Sequence, residues 1–151
     1  MGPLARGVQD GCMDLDQARD FIRSNPRAVL ATRTAGGIQP GIQQSPVLVG
    51  VDEEGRLNVS TREAAYKTRN LRRDPWAQLC VLNKGFFGDW IYVEGEAEVV
   101  SLPEAMEPLV EYYRGISGEA EDWDDYRAGM ERERRVILRI TPTRAGPDQQ
   151  G

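Results

Sequence analysis

The 151-residue chain contains no histidine and only two cysteines, Cys12 and Cys80. Without histidine there is no Ser-His-Asp or Cys-His system, no imidazole for a transition metal and no histidine to ligate haem iron. Two distant thiols cannot supply the four ligands of a structural zinc, so no metal site is expected. Long apolar runs are missing as well. Nothing approaches the roughly 20 residues of a membrane span. The opening MGPLARGVQDGC lacks the apolar centre of a signal peptide. A cytoplasmic protein with reduced thiols and no membrane contact is the expectation. Aromatics are scarce at 7 %, yet 40 % of residues are hydrophobic, enough for a globular core. Positive charge is in deficit: 19 basic against 24 acidic residues give a net charge of −5. That balance argues against nucleic acid as a partner.

What is present reads as one domain. Residues 1–13 form a loose lead, 14–142 the folded unit and 143–151 a flexible tail. DLDQARDFIRSNP predicts a helix capped by Asp14 or Asp16, with Leu15, Ala18, Phe21 and Ile22 on one face. Asn25-Pro26 stops it. AVLATRT (28–34) predicts a strand, Ala35-Gly36-Gly37 a turn, and 38–51 a long interrupted strand. RLNVST follows the turn at 52–55. A short helix is expected over about 62–73, with Ser60 and Glu63 at capping-box spacing and Asp74-Pro75 as its stop. AQLCVLN (77–83) and WIYVEGEAEVVS (90–101) are strands. Helices are expected over 103–114, with Pro103 in the first turn, and over 122–134, opened by acids and closed by bases. RVILRIT (135–141) is the last strand. Six strands with tight turns imply a mainly antiparallel sheet, whose curled form is a barrel, with four short helices outside it.

In so acidic a chain, AYKTRNLRRDP stands out. Arg62, Lys67, Arg69, Arg72 and Arg73 crowd together. On a helix, Arg62, Arg69 and Arg73 share one face, whereas Lys67 falls beside Ala64 and Leu71 on the packing side. A lysine there either snorkels to water or points along the barrel wall at a bound anion. A helix start just after a strand, with free N–H groups and Ser60, Thr61 and Arg62 nearby, suits a phosphate. The outer arginines either meet a long polyanion or form a solvated face paired with acids.

RNLRRDP preceded by Lys67-Thr68, after LNVST, resembles the split-barrel flavoproteins related to pyridoxamine 5′-phosphate oxidase. More narrowly it resembles the actinobacterial branch that binds the deazaflavin coenzyme F420. AVLATR, IQQSPV, WIYVEGEAEVV and YRGISGEAEDWDDYR followed by RRVIL agree, in order, across about 14–141. The resemblance implies a six-stranded antiparallel split β-barrel that forms a homodimer with two cofactor sites at its interface. It implies that Lys67 and Ser60, Thr61 and Arg62 hold the cofactor phosphate and ribityl chain, with Thr68 and Asn70 close by. Gln44, Ser45 and Pro46 would run along the ring, and Trp90 would wall the site from the other subunit. Many relatives carry an arginine two residues before the lysine; here Ala65 stands there, and Arg62 is the nearest substitute. The implied function is an F420-dependent oxidoreductase passing a hydride to a small unsaturated or quinone-like substrate. A non-catalytic F420 or tetrapyrrole carrier, or an FMN enzyme of the pyridoxamine phosphate oxidase type, is the alternative. F420's several carboxylates suit the surplus arginines better than a single phosphate does.

The remaining candidates have plainer readings. Trp123 and Tyr126 are expected to pack, Asp124 and Asp125 to favour a helix start, and Cys80 to be a buried, inert thiol. Phe86, Phe87 and Gly88 form an apolar loop that either receives an apolar substrate or packs in a dimer.

Overall fold

The computed structural model describes residues 12–35 and 41–147. The expected turn at Gly36-Gly37, residues 38–40 of the long strand, most of the lead and the last four residues lie outside them. Among the described residues the elements run α1 (Leu15–Ser24), β1 (Arg27–Arg33), β2 (Ile42–Leu48), β3 (Gly50–Val51), β4 (Leu57–Arg62), α2 (Tyr66–Arg73), β5 (Trp76–Leu82), β6 (Trp90–Val100), α3 (Met106–Ser117), α4 (Trp123–Glu133) and β7 (Arg135–Gly146).

The strands form one sheet in the order β2-β1-β5-β6-β7-β4-β3, and every neighbouring pair is antiparallel. The two ends of that order, β2 and β3, are separated in sequence only by Val49. Chain continuity therefore forces the sheet to curl back on itself, which makes the split barrel. Val49 is fully buried and its N–H donates to the Pro26 carbonyl, so the interruption is anchored. This is why seven strands stand where six are expected: the predicted long strand is broken at Val49. Period-2 alternation fills the interior. Leu30 of β1, Leu57 and Val59 of β4, Leu79 and Val81 of β5, and Val93 of β6 are completely buried. Helix α1 closes one end of this core. The Asp14 carboxylate accepts the Asp16 N–H at 2.7 Å, and Ala18 and Ile22 point inward.

Three boundaries differ from expectation. Strand β4 continues through Arg62, paired with Arg135, and the ladder extends to the Glu63 N–H. Ser60 is therefore spent in the strand, α2 begins only at Tyr66, and Ala65 caps it without a side-chain bond. No capping box forms, because Glu63 turns its carboxylate to Arg72 and Ser101. Helix α3 begins at Met106 rather than Pro103, after turns in which Ala105 and Met106 donate to the Ser101 and Pro103 carbonyls. Strand β7 continues to Gly146, beyond the predicted end at 141, and even Met13 of the lead bridges to Ala145. Pro142 reads as a stop in sequence because it has no N–H for a ladder. A register shift between Glu94 and Gly95 sets Gly95 against Pro142 and Glu94 against Arg144, and the bulged Thr143 donates from Oγ1 to the Glu94 carbonyl. No helix of the described residues is long and apolar enough to cross a membrane.

Candidate functional site

The concentrated positive charge resolves residue by residue. Arg62 bridges Glu133 at 3.3 Å. Arg72 is held by Glu63 and Ser101. Arg73 donates to the Arg33 carbonyl and to Asn70 Oδ1, both at 3.1 Å. Arg69 lies over the ring of the exposed Tyr66, 5.0 Å from its centroid. Lys67 is different. It is half-buried and makes no ion pair or hydrogen bond with any described residue. Burial first, and the charge of Arg135 second, hold its pKa below the ordinary lysine range.

Lys67 lines a groove of about 570 Å³ together with Ser60 and Thr61 from β4 and Pro46 from β2. Four of the ten residues singled out from sequence thus meet in one place. The structure adds Tyr112 from α3 and Arg135 from β7, with Arg27, Val29 and Leu82 as further walls. Arg135 faces Arg62 across the β4–β7 ladder, and one carboxylate, Glu133, is shared between the two guanidiniums. The Tyr112 hydroxyl donates to the Leu48 carbonyl at 2.9 Å. Burial raises its pKa, while the Ser60 N–H and the Arg135 charge pull the other way. The groove therefore offers cations and hydroxyls with few acids to neutralise them, a chemistry that takes an anion.

The other six residues stand outside the groove lining. Gln44 lies on the exposed face of β2 that it shares with Pro46, whereas Ser45 points the other way and its Oγ is buried without a partner. Arg62 turns to Glu133. Thr68 and Asn70 are buried and tie α2 to the sheet: Thr68 Oγ1 donates to the Arg62 carbonyl at 2.7 Å, and Asn70 Nδ2 to Thr32 Oγ1 at 3.0 Å. Trp90 is half-buried at the start of β6, opposite Leu82.

Sequence reasoning missed Tyr112 and Arg135. The signal was available for Arg135, since β4 and β7 are both recognisable as strands. Their pairing across about seventy residues is not written in either one. Tyr112 sits in an ordinary amphipathic helix, and nothing marks it. Trp123 packs edge-on with Tyr113 and Tyr126, Tyr126 lies tilted against Tyr113, and the Tyr126 hydroxyl donates to the Leu109 carbonyl, so they clamp α4 onto α3. Burial raises the Cys80 thiol pKa, as suits an inert cysteine.

Residues 15–147 match the profile of the family described as pyridoxamine 5′-phosphate oxidase. Among solved structures, a conserved hypothetical protein of Mycobacterium tuberculosis is 27 % identical, with a TM-score of 0.67 over 90 % of this chain and 84 % of that one. An F420 reductase is 19 % identical, with a TM-score of 0.65 over 86 % of this chain and 96 % of its own. A heme-binding protein of Mycobacterium smegmatis is 19 % identical, with a TM-score of 0.61 over 87 % of this chain and 52 % of its own. At such identities the last two speak for the fold alone.

Proposed function

The chain belongs to the pyridoxamine 5′-phosphate oxidase family, and from that premise we propose that it is an oxidoreductase that uses coenzyme F420 to reduce a small unsaturated or quinone-like substrate. The observation that carries this is Lys67: a half-buried cation, beside a second cation, with no acid of its own. A phosphate ester satisfies it. Lys67 and Arg135 would face the phosphate charge, with Ser60 and Thr61 donating hydroxyl hydrogen bonds. Pro46, Val29 and Leu82 supply the apolar wall for a flat ring. When bound, reduced F420 supplies a hydride. The chain's own part is to orient, to exclude water and to keep a protonated phenol, Tyr112, on the groove wall. Two copies would complete the site, with Trp90 of one subunit closing the groove of the other.

The glutamate tail of F420 has a narrower foothold than the sequence suggests. Arg62, Arg72 and Arg73 are engaged within the chain, so Arg69, stacked on Tyr66 and exposed, is the residue left to meet carboxylates.

Titration of the purified protein with F420 and with FMN, followed by coenzyme fluorescence, tests the reading. F420 is expected to bind more tightly, and Lys67→Ala to weaken it. Preference for FMN would move the protein to the flavin enzymes. F420 binding without oxidation of the reduced coenzyme, in the presence of a quinone or an unsaturated lactone, would make it a carrier.

A further inference from the structure

The anion groove has its origin in a strand register. Strands β3 and β4 pair Gly50 with Asn58 and Val51 with Leu57. Run on along both chains, the same register would set Leu48 of β2 opposite Ser60 of β4, and Pro46 opposite Arg62. No such ladder forms. Val49 turns its N–H to the Pro26 carbonyl, and β2 leaves to pair with β1 instead. Pro46, Val47 and Leu48 become one rim of the groove, and Ser60 and Thr61 the other. The groove is thus the unzipped continuation of the β3–β4 ladder.

Tyr112 stands at the apex of this split. Its hydroxyl donates to the Leu48 carbonyl at 2.9 Å, and the Ser60 N–H donates to the same oxygen. These are the acceptor and the donor that would meet each other directly if the ladder ran on. One side-chain hydroxyl is inserted into a ladder position, where it satisfies both strands and holds them an oxygen's width apart. The ring lies against the backbone at the apex: a Cβ on Gly50 would already touch Tyr112 Cδ2 at 3.4 Å. Further along, direct closure is barred. Pro46 has no N–H to give, and the Arg62 carbonyl already accepts from Thr68 Oγ1 and the Ala65 N–H. Among the described residues no hydrogen bond joins β2 to β4 directly. We infer that Tyr112 is a positioning residue whose hydroxyl sets the width of the groove, and so the distance between the apolar rim of β2 that takes a flat ring and the rim of β4 that takes a phosphate. A ligand that spans both rims depends on that spacing, and a ligand that touches one rim does not. The identity of the spanning ligand rests on the coenzyme reading; the tie across the split does not.

Tyr112→Phe keeps the ring and removes the tie. Wild type and variant are titrated with F420, with the same deazaflavin carrying its ribityl chain but no phosphate, and with inorganic phosphate. F420 is expected to weaken about three- to tenfold, while the two fragments, each seated on one rim, change by less than about twofold. An equal loss for all three is what a general structural defect gives and overturns the inference, as does an unchanged F420 affinity. If the wild type prefers the flavin, FMN, riboflavin and phosphate form the corresponding set, so a failed F420 reading shows itself in the wild type and the comparison still stands. Amide exchange of the ¹⁵N-labelled, ligand-free protein gives a second readout. The Ser60 amide should exchange about tenfold faster in Tyr112→Phe, with the Leu79 and Val93 amides of the core unchanged. Equal Ser60 exchange in the two proteins means that the hydroxyl does not hold the split, and overturns the inference even where no coenzyme binds.

Discussion

At the scale of the residue, Lys67 is where stability and binding pull apart. Its pKa is lowered by burial and by Arg135, so the charged form is disfavoured in the folded chain relative to the unfolded one. For a base with a lowered folded pKa, the penalty is present in full below that pKa. It fades as pH rises from there toward the ordinary lysine range. Lys67→Met should therefore leave the ligand-free protein at least as stable as wild type near neutrality, with the difference vanishing in alkali; thermal melts across pH check this. The same variant should lose the stabilisation that inorganic phosphate gives the wild type. Lys67→Ala should weaken the phosphorylated coenzyme by about ten- to a hundredfold, as expected for one charge-assisted contact. Affinity should fall as pH rises through the lowered pKa, because only the ammonium binds. An affinity flat across that window, or unchanged in Lys67→Ala, would remove the lysine from the site. The half-buried placement of Lys67 was legible from its helical spacing to Leu71, whereas Ala64, read as part of the same packing face, precedes α2 and is exposed. Its isolation was not, because that depends on where Glu63 and Glu133 send their carboxylates, and both are taken by arginines.

At the scale of the element, the fastening of α2 decides how Lys67 is held, and the bulge of β6 and β7 decides how far the ladder runs. Thr68 and Asn70 fasten α2 to the end of β4 and to β1. Thr68→Val removes one of two donors to the Arg62 carbonyl, which keeps the Ala65 N–H at 3.1 Å, and should cost about 0.5–1.5 kcal/mol of folding stability. Coenzyme affinity measured well below the melting temperature should change far less than in Lys67→Ala. A drop as large as the lysine's would mean that Thr68 touches the ligand. At the bulge, a Cβ on Gly95 would meet the Thr141 carbonyl oxygen at 2.3 Å and Ile140 Cγ2 at 2.9 Å. Backbone cannot yield there without breaking the ladder, so Gly95→Ala should destabilise by about 3 kcal/mol or more. Denaturant unfolding is the measurement. The elements themselves were largely legible, since alternation and helical periodicity are local. Their ends failed wherever a distant partner decides: Arg135 prolongs β4 past Thr61, and the bulge carries β7 past Pro142.

At the scale of the whole molecule, the curled sheet leaves apolar groups in water that a barrel of this size has no means to bury alone. Ile42 and Leu48 of β2 are 53 % and 41 % exposed, and Phe86 and Phe87 are 61 % and 83 % exposed. The two phenylalanines are not on a loose tip. Asn83 Nδ2 donates to the carbonyls of Phe87 and Asp89, its Oδ1 accepts the Gly85 N–H, and Phe86 is kept at a φ of +73°. A bulky residue in that region is strained, and the rings are packed edge-on at 4.9 Å. Holding two aromatic rings outward at such cost makes sense if something covers them. The loop leaves the groove at Leu82, so a second copy of the chain could cover the rings and wall the groove at once. Sedimentation of the wild type should show a dimer at micromolar concentration. Phe86→Asp with Phe87→Asp should shift it toward monomer. Because both substitutions are on an exposed loop, the folded state should survive, with a melting transition still cooperative. If each groove is completed by the other subunit, the monomeric variant should also bind coenzyme several-fold more weakly, and raising protein concentration should restore part of the affinity. A monomeric wild type would remove the second wall and leave the rings to a substrate. A monomeric variant with full affinity would keep the dimer but confine the site to one chain.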